Sequence, residues 1–381
     1  MKKNRVKTVF VDGMNIQSFG GVNHLNQIIK YAPKKHNNID INYNVWIKKA
    51  LKNKMKKSKN ITYKSNFYGN LPTPLNLIWN LIVFRLICMK NNPDNILSLG
   101  GLLFFKHKNA TGIFQNVQPF LSKNNTINYH NIRVKVLKRL WEYSSKNFTK
   151  HIFHSQDSSD LIRSHFTSNR AFEIIYHGVD ERFRINKNKI LSKLDKLEEK
   201  IKLNQKINFT YITSAYPYKN NEKIIESFQR MYSNNFNFHL NLVIANGPEL
   251  KSFKKTINKC EFKSKISLSI DSSSKDIKNI LHQETDVGVF ASNFESFGLI
   301  LVEKMASGLP IFAVEKSCIP EILGDDANYF SIEKSDSLHK EIITNFNNYK
   351  NIKRKTLLTW ERANLFRWNK SANKTWDFVL D

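Results

Sequence analysis

Short apolar runs bounded by turn-forming residues recur along this chain. They alternate with longer stretches in which apolar positions return every three or four residues. The short runs predict strands at 7–11, 42–47, 61–67, 95–99, 111–114, 151–154 and 173–176, and again at 208–213, 239–245, 265–270, 286–290 and 310–314. The longer stretches predict helices at 22–31, 75–89, 132–148 and 157–165, then at 221–232, 249–258, 274–283, 297–307, 335–346 and 352–365. Two successive strand–helix alternations imply two doubly wound α/β units. The pattern sets the first unit at 1–190 and the second at 207–365. Residues 187–206 are rich in lysine, lack Gly and Pro, and are expected to connect the halves. No self-similarity with a period of about 20–50 residues is present, so the halves share a fold type and not a sequence.

At 381 residues the chain is long enough for each unit to have its own core. The formal net charge of +28 raises nucleic acid as a partner. Lysine supplies most of that charge and comes with abundant Asn and Ile, the mix an AT-rich genome produces. No RNP-like aromatic motif, zinc-ligand spacing or helix-turn-helix signature accompanies it, so nucleic-acid binding is not expected. A basic surface suits anionic lipid and phosphate-bearing substrates instead. Cys88, Cys260 and Cys318 lie far apart without zinc or redox spacing, the usage of buried thiols in a reducing compartment. Residues 1–5 run directly into a strand, with no apolar region of a signal peptide. The most hydrophobic segment, 75–89, is interrupted by Asn80 and Arg85 and is too short to span a bilayer. A cytoplasmic location is expected. The segment 47–57 sets Ile47, Leu51 and Met55 on one helical face among lysines, which suits peripheral adsorption to an anionic inner leaflet.

The strand predicted at 286–290 is followed by Ser292-Asn293-Phe294-Glu295-Ser296-Phe297-Gly298-Leu299. A helical run then carries Glu303 and stops at Gly308 and Pro310. Strand, turn and helix N-terminus make the carboxyl-end crevice where open α/β sheets bind ligands. The backbone N–H groups of Phe297, Gly298 and Leu299 are expected to meet an anion there. Glu295 ahead of the helix and Glu303 along it are placed to accept hydrogen bonds from sugar hydroxyls on either side of that anion. A nucleotide sugar has this order of groups: hexose, diphosphate, ribose.

The run Glu-Ser-Phe-Gly-Leu at 295–299, Glu-Lys-Met-Ala-Ser-Gly-Leu-Pro at 303–310 and Cys-Ile-Pro-Glu-Ile-Leu-Gly-Asp at 318–325 closely resembles the C-terminal signature of glycosyltransferase family 4. Weaker likeness covers most of the chain. His177-Gly178-Val179-Asp180 is similar to that family's linker entry, and Phe366-Arg367-Trp368 opens a segment similar to its final helix. The resemblance implies the GT-B fold: two Rossmann-like doubly wound domains facing across a cleft, with the C-terminal helix, 366–381, crossing back to the first. It implies retaining transfer of a hexose from a nucleoside-diphosphate sugar to a glycan or lipid-linked acceptor in bacterial cell-surface polysaccharide synthesis.

The resemblance also assigns residues. Glu295 would contact the donor hexose and Glu303 the ribose, with Ser296, Phe297, Gly298 and Leu299 around the phosphates. The loop Ser214-Ala215-Tyr216-Pro217-Tyr218-Lys219 resembles the family's diphosphate loop, so Lys219 would be the cation on the leaving group. Many relatives carry an Arg near the position of Ser214, and this chain does not. Gly247 matches a family turn that touches the base or is only a turn. Gly20 and Gly21 match a glycine loop facing the diphosphate, and Asn116 an acceptor-side loop. His151 and His154 read as packing residues. No Asp-x-Asp motif occurs, so no metal and no cofactor is expected. Front-face attack, in which the departing phosphate helps deprotonate the acceptor, needs no dedicated base. A sugar-nucleotide epimerase on the same fold, or a non-catalytic carbohydrate- or nucleotide-binding protein, are the alternatives. An epimerase would rearrange its donor with no acceptor present.

Overall fold

The computed structural model describes residues 6–16, 19–72, 75–121 and 132–381, so the start read at 1–5 lies outside the described residues. The chain divides into two units. One holds the described residues up to Gly178 together with Arg367–Asp381, and the other holds Val179–Phe366.

The first unit is built on β1 (Val6–Asp12), β2 (Lys35–His36), β3 (Ile39–Trp46), β4 (Ile61–Lys64), β5 (Asn95–Ser98), β6 (Ala110–Ile113), β7 (Lys150–Phe153) and β8 (Ala171–Ile174). Their order is β2-β3-β1-β5-β6-β7-β8, with β4 also paired to β3. The β2–β3 pairing is antiparallel and the others are parallel. Every residue of β5 and β6 is buried, as expected of strands covered on both faces. The helix Trp368–Leu380 belongs to this unit. Trp376 Nε1 donates to the Ile28 carbonyl at 2.9 Å, inside the helix Phe19–Lys30. Lys7 and Lys150 donate to the Leu380 and Phe378 carbonyls, both at 2.7 Å. Cations there satisfy C-terminal carbonyls and oppose the negative end of the helix dipole.

The second unit holds β9 (Ile207–Ser214), β10 (Phe238–Ala245), β11 (Ile266–Ile270), β12 (Val287–Phe290), β13 (Ile311–Val314) and β14 (Asn328–Phe330), all parallel, in the order β11-β10-β9-β12-β13-β14. Strand order therefore reverses between β9 and β12. That switch point opens a crevice at the strands' carboxyl ends.

Three expectations need correction. The lysine-rich connector is the helix Lys187–Lys202, part of the second unit, with Ile190, Leu194 and Leu197 buried at helical spacing. The unit boundary accordingly falls between Gly178 and Val179 and not at 190, and Phe366 stays in the second unit. Its carbonyl accepts from Val179 N at 3.1 Å. In the 47–57 segment, Ile47 and Met55 are buried and the helical part is a 3-10 turn, Lys49–Lys54, so the expected apolar face points into the core. Among the described residues no helix is long and apolar enough to cross a membrane.

Candidate functional site

The loops that follow β9 and β12 meet at the switch point of the second sheet. After β9, Pro217 opens a 3-10 turn, Pro217–Lys219, and Asn220 at φ 56° starts the helix Asn221–Ser233. Asparagine is among the few side chains that tolerate this left-handed backbone. Asn220 Nδ2 donates to the Ala291 carbonyl at 2.7 Å, and Asn293 N donates to the Tyr218 carbonyl at 2.8 Å. These two bonds tie the loops together. They bring Lys219 Nζ to 2.5 Å from Glu295 Oε1, with both side chains about one-sixth exposed (15% and 16%). The Tyr211 hydroxyl donates to the Lys219 carbonyl from below. Burial opposes the Lys219 charge, yet the Glu295 carboxylate and neighbouring tyrosines hold its ammonium above the ordinary lysine range. Lys219 is thus a fixed, permanently charged donor at the mouth of the sheet.

Glu295 is fixed through its main chain. Its N–H donates to Ser317 Oγ at 3.2 Å, and the Ser317 hydroxyl and Cys318 thiol donate back to its carbonyl. The helix beyond it starts later than the apolar spacing predicts, at Leu299 (Leu299–Ala306), with Gly298 as N-cap at φ 86°. Phe297 is 1% exposed and packs edge-on against Phe366, so its side chain anchors the turn. Ser296 and Gly298 are partly exposed on either side of it. The helix-start amides thus begin at Leu299, and Leu301 N already donates to the Gly298 carbonyl at 2.9 Å.

Glu303 is 6% exposed. Burial pushes its carboxyl up to about 8, with Arg182 favouring ionisation and Asp180 opposing it. It is poised to ionise when hydroxyl donors arrive. Lys304, next to it, is completely buried. Its Nζ donates to the carbonyls of Val289 at 2.5 Å and Thr210 at 3.3 Å, in β12 and β9. Burial lowers its ammonium to about 7, partly offset by Glu303. Gly288 makes room, since a Cβ there would sit 3.0 Å from Lys304 Cδ. This lysine pins together the two strands whose loops carry Lys219 and Glu295.

Ser214 ends β9, and its carbonyl accepts from Asn221 Nδ2 at 3.0 Å. A Cβ on Gly247 would lie 2.4 Å from the Ala215 carbonyl oxygen, so glycine there lets the turn after β10 press against the β9 loop. Asn220, Asn293, Tyr211, Ser317 and Lys304 were not singled out from sequence. Asn220 alone carried a signal, as a polar residue between a Pro-initiated turn and a helix.

In the first unit, Gly20 and Gly21 lie inside the first turn of the helix Phe19–Lys30 and not in a loop ahead of it. Asn116 is exposed, and its Oδ1 accepts from Gln118 N at 3.0 Å, closing a local turn. Among the described residues, His24, His154 and His177 are the group able to hold a metal ion, with ligand atoms within 4.8 Å of one another. Burial holds all three imidazoles far below their ordinary range, hence neutral. Rings of His24 and His177 lie against Trp368. The cluster has no oxygen ligand, unlike a site that would place magnesium on a diphosphate.

Residues 194–357 match the family model described as Glycosyl transferases group 1. The O-antigen chain mannosyltransferase RfbU of Salmonella typhimurium (strain LT2) is 24% identical over 275 residues, spanning 66% of this chain and 72% of its own. Among solved structures, sucrose-phosphate synthase from Thermosynechococcus elongatus aligns over 97% of both chains, with a TM-score of 0.73 at 11% identity. Anabaena Alr3699/HepE, solved with UDP and glucose, aligns over 98% of this chain and 99% of its own, at 0.71 and 14%. WaaG, a glycosyltransferase involved in lipopolysaccharide biosynthesis, does so over 98% and 99%, at 0.67 and 13%. The likeness shows the fold: two Rossmann-like α/β units of the GT-B type.

Proposed function

We propose that this chain, whose residues 194–357 match the family model described as Glycosyl transferases group 1, moves a hexose with retention from a nucleoside-diphosphate sugar to a glycan or lipid-linked acceptor of a bacterial cell-surface polysaccharide. The observation that carries this is the Lys219–Glu295 pair, held by cross-tied loops at the switch point of the second sheet. Lys219 and the amides opening the helix Leu299–Ala306 bind the diphosphate. Glu303, once ionised, accepts from the two ribose hydroxyls. Glu295 accepts from a hexose hydroxyl while keeping its bond to Lys219. When the glycosidic bond breaks, its electron pair moves onto the phosphate oxygen. Lys219 meets that growing charge without reorganising. The acceptor hydroxyl enters on the same face and passes its proton to the departing phosphate.

The mannosyltransferase named above and the UDP and glucose bound in Alr3699/HepE both support a nucleotide-sugar donor. They point to different hexoses, so base and sugar need a direct screen. Thermal shifts with a panel of UDP-, GDP- and ADP-sugars should single out one donor. That donor should then be consumed only when acceptor is supplied, on the cytoplasmic face where such donors are made. No shift with any donor would refute the proposal. Consumption of the donor without acceptor would favour the epimerase alternative.

A further inference from the structure

Residues 41–93 contain no Asp or Glu, against ten Lys and Arg. The same region carries the densest exposed apolar surface among the described residues. Seven of sixteen exposed large hydrophobic side chains fall between Phe67 and Met89. Four of them lie on the helical stretch formed by Trp79–Val83 and Phe84–Asn91. Trp79, Asn80, Phe84 and Cys88 face the core from that stretch. Leu81, Ile82, Leu86 and Met89 take the solvent side, 43%, 54%, 58% and 67% exposed. A surface helix ordinarily turns polar residues outward, and one that is apolar all round has something else against its outer face.

The preceding helical turn, Phe67–Asn70, extends the patch. Gly69 is pressed so tightly on the core that a Cβ would fall 1.9 Å from Met14 Cε. Phe67, 72% exposed, and Tyr68 project the other way. Asn70 Oδ1 accepts from Lys49 N at 2.9 Å, which ties the turn to the basic segment. Lys49, Lys56, Lys57 and Lys59 on that segment are exposed, as are Arg85 and Lys90 on the helix.

We infer that this face of the first unit docks on an anionic phospholipid bilayer. Phe67, Ile82, Leu86 and Met89 enter the acyl boundary, and the surrounding lysines meet the headgroup phosphates. The occupant follows from the charge: ten cations with no carboxylate in the whole segment repel a second copy of the same face and attract an anionic sheet. Thirteen helical residues reach only about 20 Å, so the helix lies in the interface and does not span it. The inference does not rest on the donor site. It also moves the membrane contact from 47–57, where the apolar face is buried, to 67–91.

The test is co-sedimentation of the full chain with vesicles of phosphatidylcholine alone and of phosphatidylcholine mixed with phosphatidylglycerol. The wild type should partition onto the mixed vesicles at least about tenfold better than onto the neutral ones, as expected for several lysines near the surface. Ile82→Ser, Leu86→Ser and Met89→Ser together should lower partition onto mixed vesicles at least about tenfold, since each removes an inserting apolar side chain. Their exposure predicts an unchanged circular-dichroism spectrum and an unchanged thermal shift with donor, which separates this inference from the donor site. Arg85→Glu should weaken binding without changing fold. The inference is overturned if the wild type ignores anionic vesicles or if the triple variant binds them as well as the wild type. It is equally overturned if the patch holds a stable dimer in solution that the triple variant dissociates.

Discussion

Raising the pH from 7 to 9 should tighten nucleoside-diphosphate binding by about tenfold through Glu303 alone. Burial pushes its carboxyl up to about 8. By mass action about one-tenth is ionised at pH 7 and about nine-tenths at pH 9. A ribose diol has two hydroxyl donors and needs the ionised form, so affinity is reduced by the ionised fraction. The ratio of fractions is about tenfold, or roughly 1.4 kcal/mol. The diphosphate titrates as well, and Glu303→Gln isolates that contribution because Gln cannot ionise. Calorimetric titrations at pH 7, 8 and 9, in two buffers of different ionisation enthalpy, read both affinity and proton release. At pH 7 the wild type should release close to one more proton per site than Glu303→Gln, and the affinity ratio between the two should grow with pH. Parallel pH profiles, or equal proton release, would refute the placing of Glu303 on the ribose.

Lys304 and Glu303 act on stability in opposite directions. Lys304 is lowered to about 7 from 10.5, so the unfolded chain alone holds its proton between those values, and stability falls as pH drops from 10.5 to 7. Glu303 is raised from 4.5 to about 8, so the folded chain alone holds that proton, and stability falls as pH rises from 4.5 to 8. Together they predict least stability from this pair near neutrality. Lys304→Met should raise the urea midpoint at pH 7.5, by a few kcal/mol at most in stability, and flatten the rise above pH 8. A destabilised Met variant would mean that the bonds to Thr210 and Val289 outweigh burial of the amine. Transfer should continue in EDTA, because Lys219 and helix-start amides supply the diphosphate's partners. Loss of turnover restored by magnesium or manganese would contradict that.

Most strands were legible because a buried parallel strand is a short apolar run with little ambiguity. The Glu295–Glu303 spacing was legible because strand, turn and helix leave their own residue patterns. Lys187–Lys202 was not, because counting lysines hid the i, i+4, i+7 spacing of Ile190, Leu194 and Leu197. Lys304 looks like a surface charge in sequence. Only the missing Cβ of Gly288 and the carbonyls of two neighbouring strands make its burial intelligible. The face of Ile47, Leu51 and Met55 misleads for the opposite reason: its apolar spacing suits an exposed amphipathic helix, whereas the chain leaves a central strand there and stays on the core. The cross-ties through Asn220 and Asn293 join loops more than seventy residues apart, beyond the reach of any local pattern.

Lys219 carries the proposed chemistry, so the decisive comparison is single-turnover transfer by wild type and Lys219→Ala, with donor affinity measured alongside. Charge on the leaving phosphate grows only as the bond breaks, and a fixed cation therefore contributes more to the transition state than to the bound donor. Lys219→Ala should lower the rate about 100- to 1,000-fold, roughly 2.7–4 kcal/mol, while donor binding weakens far less. Lys219→Arg should recover part of the rate, because charge is kept and geometry changes. If Lys219→Ala leaves the rate intact and only raises KM, Lys219 is a ground-state binder and the proposed site chemistry is wrong.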